Sequence, residues 1–186
     1  EIVGKKMKKS KKKIRIQIQT NGTLITEEIA QLFKKYDIHV GISLDGPPEV
    51  NDFTRPFKSG IPATQAVVEG IKKLKKNKIR PGIVTVVTSK NYDKMPQTIK
   101  FANRIGIRSV KALSMSCLGR GAKSKMLGIN SMQYFKAMKD GLDYCLNCRR
   151  KNKLLPINYL FKNLLTSQRA YMCLRNPCGA AGSALV

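Results

Sequence analysis

The apolar and polar positions of the chain alternate between the period of a strand and the period of a helix. Residues 14–20 place isoleucines at every second position, which predicts a strand. Thr26 can cap a following helix, because Glu27 and Glu28 occupy its first turn and the pattern extends to Lys35. Further strands are predicted at 38–45, 82–88 and 109–116, and further helices at 95–105 and after a capping Thr64. Strands that alternate with helices predict an α/β fold with a parallel sheet.

The first two predicted strands each have one apolar and one polar face. In the second strand Val40 and Ile42 share one face, whereas Gly41 and Ser43 share the other. The outer face of a βα barrel packs on helices, so the polar face is expected to line the interior. The pattern therefore predicts part of an open barrel that holds a ligand. Residues 46–48, Gly-Pro-Pro, predict a loop after the second strand.

The second half of the chain changes in character after the fourth strand. A glycine-rich loop at 119–121 precedes two predicted helices, at 131–151 and 156–167, and the second repeats apolar residues at helical spacing. The predicted organisation is a basic segment at 1–13, a partial βα barrel at 14–130, helices at 131–168 and a cysteine-containing segment at 169–186.

The chain is strongly basic, with a formal charge of +25 from 36 Lys and Arg against 11 Asp and Glu. Many lysines follow predicted helix ends, where they favour the helix dipole and a solvated surface. Residues 5–13 form the one dense basic block, and a contact with nucleic acid is the alternative interpretation of it. No aromatic side chains interrupt this block, so a base-stacking surface is not favoured.

Five cysteines without a secretory signal favour a reducing cytoplasm over a disulfide framework. No apolar run is long enough to predict a transmembrane helix. The chain begins at Glu1 rather than at methionine, which is consistent with a piece of a longer protein. Cys145 and Cys148 have the spacing of a metal or redox pair, but they fall on the apolar stripe of a helix and are interpreted as core residues.

Three segments share an order and spacing with a known family. They are residues 19–24 (QTNGTL), residues 41–49 (GISLDGPPE) with Asp52 and Arg55, and residues 173–182 (CLRNPCGAAG). Together they resemble the radical S-adenosylmethionine (SAM) enzymes with a C-terminal SPASM region, which include anaerobic sulfatase-maturating enzymes and ribosomal-peptide maturases. The resemblance implies a TIM-like (βα) barrel of radical SAM type, of which about four parallel strands are present. Helices and the start of the SPASM region follow.

The resemblance implies roles for four polar residues at strand ends. Ser43 and Arg55 match residues that contact SAM, whose carboxylate and ribose hydroxyls suit a hydroxyl partner and a fixed cation. Thr20 and Asn21 end the first strand on the same side and could reach cofactor or substrate. The alternatives are a serine that ends a strand, a surface arginine and an Asn-Gly turn. Asp45 is expected to order the following loop, and no catalytic residue is assigned.

The resemblance also implies iron–sulfur chemistry. Cys173 and Cys178 match the first two ligands of an auxiliary [4Fe–4S] cluster, although two buried structural thiols are the alternative. The Cys-x3-Cys-x2-Cys motif that binds the catalytic [4Fe–4S] cluster is absent from the chain, as is the glycine-rich segment that holds the SAM amino group. Both precede the first predicted strand in the family order, so that strand would be the third of the barrel.

The function implied is that of a maturase fragment. A complete parent would generate a 5′-deoxyadenosyl radical from SAM, modify a peptide or protein substrate, and receive electrons from a flavodoxin or ferredoxin. The fragment alone is expected to be inactive and marginally stable, because a barrel without two βα units exposes a strand edge. The alternatives are a basic nucleic-acid-binding βα module and a partial βα-barrel enzyme without iron–sulfur chemistry.

Overall fold

The computed structural model describes residues 15–115, 125–148 and 153–154. These residues form one parallel sheet with helices on one of its faces. The strands are β1 (Gln17–Thr20), β2 (His39–Ser43), β3 (Gly82–Val87), β4 (Ser109–Ser114) and β5 (Lys153–Leu154). The helices are α1 (Glu27–Lys35), α2 (Pro48–Thr54), α3 (Thr64–Lys76), α4 (Met95–Arg104) and α5 (Ser131–Asn147).

The strands lie in the order of the sequence, β1-β2-β3-β4-β5, and every neighbouring pair is parallel. Each of the first three connections contains at least one helix, as a parallel crossover requires. The predicted α/β fold with four parallel strands is therefore confirmed. The two-residue strand β5 was not predicted; it lies between the two predicted helices, 131–151 and 156–167, and pairs with β4.

Burial alternates along the strands and distinguishes the two faces of the sheet. On β2, Val40 and Ile42 are buried, whereas Gly41 and Ser43 are half-buried and His39 is exposed. The buried side chains join those of the helices in one apolar core, which also includes Ile71, Leu74, Ile83, Ile99 and Val110. The other face, called here the open face, carries the polar residues of β1 and β2, as the sequence pattern predicts.

The segment after β2 is helical where a loop was predicted. Residues 48–54 form α2, which begins at Pro48 in the first turn, where the missing N–H of proline causes no loss. The two prolines and Gly46 suggested only a turn, because a helix of seven residues depends on tertiary contacts rather than on local propensity. Gly46 has a φ of +154°, which explains a glycine at the entry to this helix.

The N-terminus of α3 is capped from a distance. Thr64 was predicted to be the cap, but it is the first helical residue, and the N-cap residue Ala63 has no side-chain acceptor. Asp52 of α2 supplies the acceptor instead: its Oδ1 accepts hydrogen bonds from the backbone N–H of Ala63 and of Thr64, both at 2.8 Å. By contrast, Thr26 caps α1 as predicted, and its hydroxyl accepts from the N–H of Ile29 at 3.3 Å.

Several predicted features lie outside the described residues. They are the basic segment 1–13, Cys117, the loop at 119–121, the helix at 156–167 and the segment at 169–186 with Cys173 and Cys178. The predicted domain boundaries therefore stay predictions. In the part of the chain that the structure describes, no helix combines the length and the apolar character that a membrane crossing demands.

Asp52→Ala is expected to destabilise the fold by about 1 to 2 kcal/mol, because it removes the acceptor at the N-terminus of α3. The measurement is urea-induced unfolding of the chain followed by circular dichroism. Glu69→Ala is the matched control, since it removes an acidic side chain of α3 that bonds only exposed partners, Gln65 and Lys72. Equal unfolding midpoints for the two variants would contradict the capping role of Asp52.

Candidate functional site

Ser43 ends β2 on the open face and is held by a neighbouring strand. The amide nitrogen of Gln19 on β1 donates a hydrogen bond to the hydroxyl of Ser43 at 3.1 Å. Gln19 can cross to β2 because Gly41 has no side chain; a Cβ at position 41 would collide with the Gln19 amide. The Ser43 hydroxyl therefore receives one hydrogen bond from the protein and keeps its own proton for another partner.

Asp45 follows two residues later and is 3% exposed. Its Oδ1 accepts from the backbone N–H of Val86 at 2.9 Å, and its Oδ2 accepts from Nε of Arg55 at 2.8 Å. Its backbone is also bonded, because its N–H donates to Asn51 and its carbonyl accepts from Asn91, both at 3.0 Å. The expectation that Asp45 orders the loop after β2 agrees with these contacts.

Arg55 lies at the C-terminus of α2 and reaches back to the end of β2 through Asp45. The ion pair is asymmetric, because the side chain of Asp45 is 4% exposed and that of Arg55 is 32% exposed. Only Nε of the guanidinium bonds a described residue, so its two terminal nitrogens remain available at the surface. This geometry suits the bidentate binding of a carboxylate or phosphate.

The buried side-chain amides of Asn51 and Asn91 connect the backbone of Asp45 to α2 and to the segment after β3. Asn51 is fully buried and donates to the hydroxyl of Thr64 at 2.9 Å, which in turn donates to Asp52. Asn91 is also fully buried; its amide nitrogen bonds the carbonyls of Asp45 and Val86, and its oxygen accepts from the N–H of Thr88. The carboxyl ends of β2 and β3 are therefore fixed relative to α2 and α3. Sequence reasoning did not identify either asparagine.

Thr20 and Asn21, the other predicted binding residues, lie in the turn after β1. The Thr20 hydroxyl accepts from the N–H of Gly22 at 3.2 Å, and the Asn21 side chain accepts from the N–H of Thr23 at 3.3 Å. Gly22 has a φ of +77°, the left-handed conformation that an Asn-Gly turn uses. Both side chains thus support the turn, and their contact with a ligand stays a prediction.

The described cysteines, Cys145 and Cys148, lie at the C-terminal end of α5. Cys145 packs against the core, and burial raises the pKa of its thiol, with the neighbouring Cys148 thiol as a second cause. Cys148 lines a cavity of about 730 Å³ that is bordered by the start of α2, by α4 and by the end of α5, and neither Ser43 nor Arg55 lines it. No group of three Cys, His, Asp or Glu side chains among the described residues could hold a metal ion.

The described residues fit SAM, but they do not provide the ligands of the catalytic [4Fe–4S] cluster. A free hydroxyl proton on Ser43 and two free guanidinium nitrogens on Arg55 match the oxygens of SAM. The catalytic iron–sulfur cluster requires three thiolates, and the sequence has no Cys-x3-Cys-x2-Cys motif. The predicted auxiliary ligands Cys173 and Cys178 lie outside the described residues.

Comparisons with known proteins place the chain among enzymes of radical SAM type. The radical SAM superfamily profile matches residues 1–102. A protein of unknown role from Methanocaldococcus jannaschii is 45% identical over 97 residues, which are 52% of this chain and 34% of that protein. The serine-type anaerobic sulfatase-maturating enzyme of Bacteroides thetaiotaomicron is 41% identical over 76 residues, 41% of this chain and 18% of the enzyme. The Fe-coproporphyrin III synthase of Methanosarcina barkeri is 28% identical over 141 residues, 75% of this chain and 34% of the synthase.

Solved structures have the same fold. Native anSMEcpe with bound AdoMet superimposes with a TM-score of 0.79 at 22% identity, over 90% of this chain and 47% of that one. Streptococcus suis SuiB bound to the precursor peptide SuiA gives a TM-score of 0.59 at 18% identity, over 76% of this chain and 31% of that one. The chain therefore spans about a third to a half of the length of these structures. The partial barrel of radical SAM type is thereby confirmed.

Asp45→Asn is expected to destabilise the fold by about 2 kcal/mol, because an amide nitrogen would then face the Arg55 donor in a buried position. Asp143→Asn is the control, since Asp143 forms an exposed ion pair with Lys139 on α5 that is worth about 0.5 kcal/mol or less. Urea-induced unfolding measures both variants. A loss for Asp45→Asn no larger than that of the control would show that the buried ion pair is not structural.

Alkylation of Cys145 by iodoacetamide is expected to have its pH midpoint above that of the same residue in urea. The reason is that the thiolate reacts, and the raised pKa leaves less thiolate at any pH below it. Mass spectrometry of the peptide that contains Cys145 gives the rate between pH 7 and pH 10, about the range in which thiols titrate. Coinciding profiles in buffer and in urea would contradict the effect of burial.

Proposed function

The chain belongs to the radical SAM superfamily, and we propose that it contributes the SAM-binding part of an enzyme that modifies a peptide or protein substrate. The observation that supports this function is that Ser43 ends β2 and that Arg55 is bonded to Asp45, two residues further along the chain. Ser43 offers a hydroxyl, and Arg55 offers terminal nitrogens while Asp45 holds its Nε. Together with a reduced [4Fe–4S] cluster, bound SAM would supply the radical chemistry that removes a hydrogen atom from the substrate.

This chain's own contribution is binding and orientation. In the proposal, Ser43 donates to a ribose or carboxylate oxygen of SAM, and Arg55 binds the carboxylate through its terminal nitrogens. Gln19 keeps the Ser43 hydroxyl in place on its acceptor side. Thr20 and Asn21, in the turn after β1, border the proposed SAM site. The ligands of the catalytic cluster and the electron donor, such as a flavodoxin or ferredoxin, come from outside this sequence.

Two observations support a peptide substrate and a reducing compartment. Relatives that align with the chain are named as sulfatase-maturating enzymes, and the structure of SuiB, which shares the fold, contains a precursor peptide. The five cysteines fit a cytoplasmic location, where thiols persist as metal ligands. The inactivity of the isolated chain is part of the proposal, since the motif for the catalytic cluster is absent from its sequence.

A tetrapyrrole is the second candidate substrate. The alignment with the Fe-coproporphyrin III synthase extends over 75% of this chain, whereas that with the Bacteroides maturase extends over 41%. A longer alignment at lower identity favours the shared architecture more than the shared substrate. Peptide modification therefore remains the main proposal, and both candidates use the same SAM-binding residues.

Ser43→Ala is expected to weaken SAM binding about 5-fold, and Arg55→Gln about 10-fold or more, because a hydrogen bond to a charged group contributes more than a neutral one. Titration of the chain with SAM, followed by chemical-shift changes of backbone amides, measures the affinity. Arg55→Lys should lose affinity to a similar extent while keeping a cation beside Asp45, which separates ligand binding from folding.

The matched controls are Ser131→Ala, in the first turn of α5, and Arg108→Gln, an exposed residue just before β4. Neither lies at the carboxyl end of β2, so both should bind SAM like the unmodified chain. If SAM causes no shift near Ser43 and Arg55, or if the controls weaken binding as much as the site variants, the proposed function is wrong.

A further inference from the structure

On the open face of the sheet, Val84 and Val86 of β3 form an apolar patch, called here the apolar floor. Polar residues of β2 and β4 lie on either side of it. The register aligns Ser43 of β2 with Val84 of β3 and Val84 with Lys111 of β4. One step further along, Val86 aligns with Leu113. Adjacent strands lie about 4.8 Å apart, so Ser43 and Lys111 are separated by about 10 Å with valine between them.

The two sides of this floor differ in chemistry. On the β1 and β2 side the strands present polar groups on this face, namely Gln17, Gln19, His39 and Ser43. On the β4 side Lys111 is exposed, and it forms no hydrogen bond or ion pair with the residues that the structure describes. Lys111 thus places a cation on the open face. The polar character of this face was predicted from the first two strands only.

No carboxylate among the described strands balances this cation. Asp45, two residues beyond Ser43, is buried and already bonded to Arg55 and Val86. The acidic residues that pair with lysines, such as Glu69, Asp140 and Asp143, lie on helices α3 and α5. The open face therefore has a net positive charge beside an apolar floor.

We propose that the open face binds a substrate with an apolar body and a carboxylate, and that Lys111 forms the ion pair with this carboxylate. The apolar body lies over Val84 and Val86, which are half-buried on this face. The inference rests on the proposed function, because it places the substrate on the same face of the sheet as Ser43, the proposed SAM contact. Both candidate substrates, a peptide and a tetrapyrrole, can combine an apolar body with a carboxylate.

The test compares acidic ligands with their neutral counterparts on the intact chain. One arm uses a leucine-rich peptide with a single glutamate and the same peptide with glutamine. The other arm uses a porphyrin with free carboxylates and its methyl ester. The chain should bind at least one acidic form about 3-fold to 5-fold more tightly than the neutral form, as an exposed ion pair allows, and the preference should decrease with added salt.

Three variants assign this preference to Lys111. Lys111→Gln should abolish it, and Lys111→Arg should retain it because the charge is kept. Lys100→Gln removes an exposed charge from α4, on the other side of the sheet, and should leave the preference unchanged. None of the three should alter SAM binding, because Lys111 is not among the proposed SAM contacts.

The outcomes distinguish this inference from the proposed function. A preference that is confined to the peptide or to the porphyrin supports the inference and identifies the source of the carboxylate. A chain that binds SAM but shows no acidic preference, or keeps that preference in Lys111→Gln, overturns it. A chain with a Lys111-dependent preference but no SAM binding overturns the proposed function and leaves the carboxylate site in place.

Discussion

Burying a carboxylate costs several kcal/mol unless hydrogen bonds and an opposite charge replace its water, and Asp45 obtains both from separate elements. The N–H of Val86 fixes one oxygen to β3, and the guanidinium of Arg55 fixes the other to the end of α2. The carboxylate can be satisfied only if the strand and the helix take these positions. Loss of any one of these partners would leave a charged group or a polar backbone group unsatisfied in the interior, so the arrangement tolerates little variation.

The ion pair with Asp45 also determines how Arg55 can bind a ligand. A free arginine side chain has many rotamers, and ordering it costs free energy each time a ligand binds. Here Nε is already bonded, so the guanidinium plane is oriented before any ligand arrives. The buried amides of Asn51 and Asn91 support this by fixing the backbone of Asp45 from both sides. Preorganisation of this kind contributes to affinity without adding a contact to the ligand.

The sequence predicted well what depends on local pattern and poorly what depends on contacts between distant residues. Alternating apolar positions identified the first two strands, a valine-rich run identified the third, and Thr26 with two glutamates identified the start of α1. The short helix α2 was missed because its stability comes from burial of Val50 and Asn51 rather than from helix propensity. The cap from Asp52 was missed because it comes from another helix, twelve residues before Thr64. The alternation within β4 places Lys111 on the open face, but its alignment with Val84 and Ser43 follows from the register of neighbouring strands, which no local pattern encodes.

The consecutive order of the strands has a consequence for how the chain folds during synthesis. Each strand pairs with the one made just before it, so every newly made strand–helix unit finds a finished template, and loop closure never spans more than one unit. The entropy lost in each docking step is therefore similar, and no strand must wait for a partner from the far end of the sequence. On the ribosome the described strands β1 to β4 can be added to the sheet one at a time, and a stall between units would leave an ordered but shorter sheet.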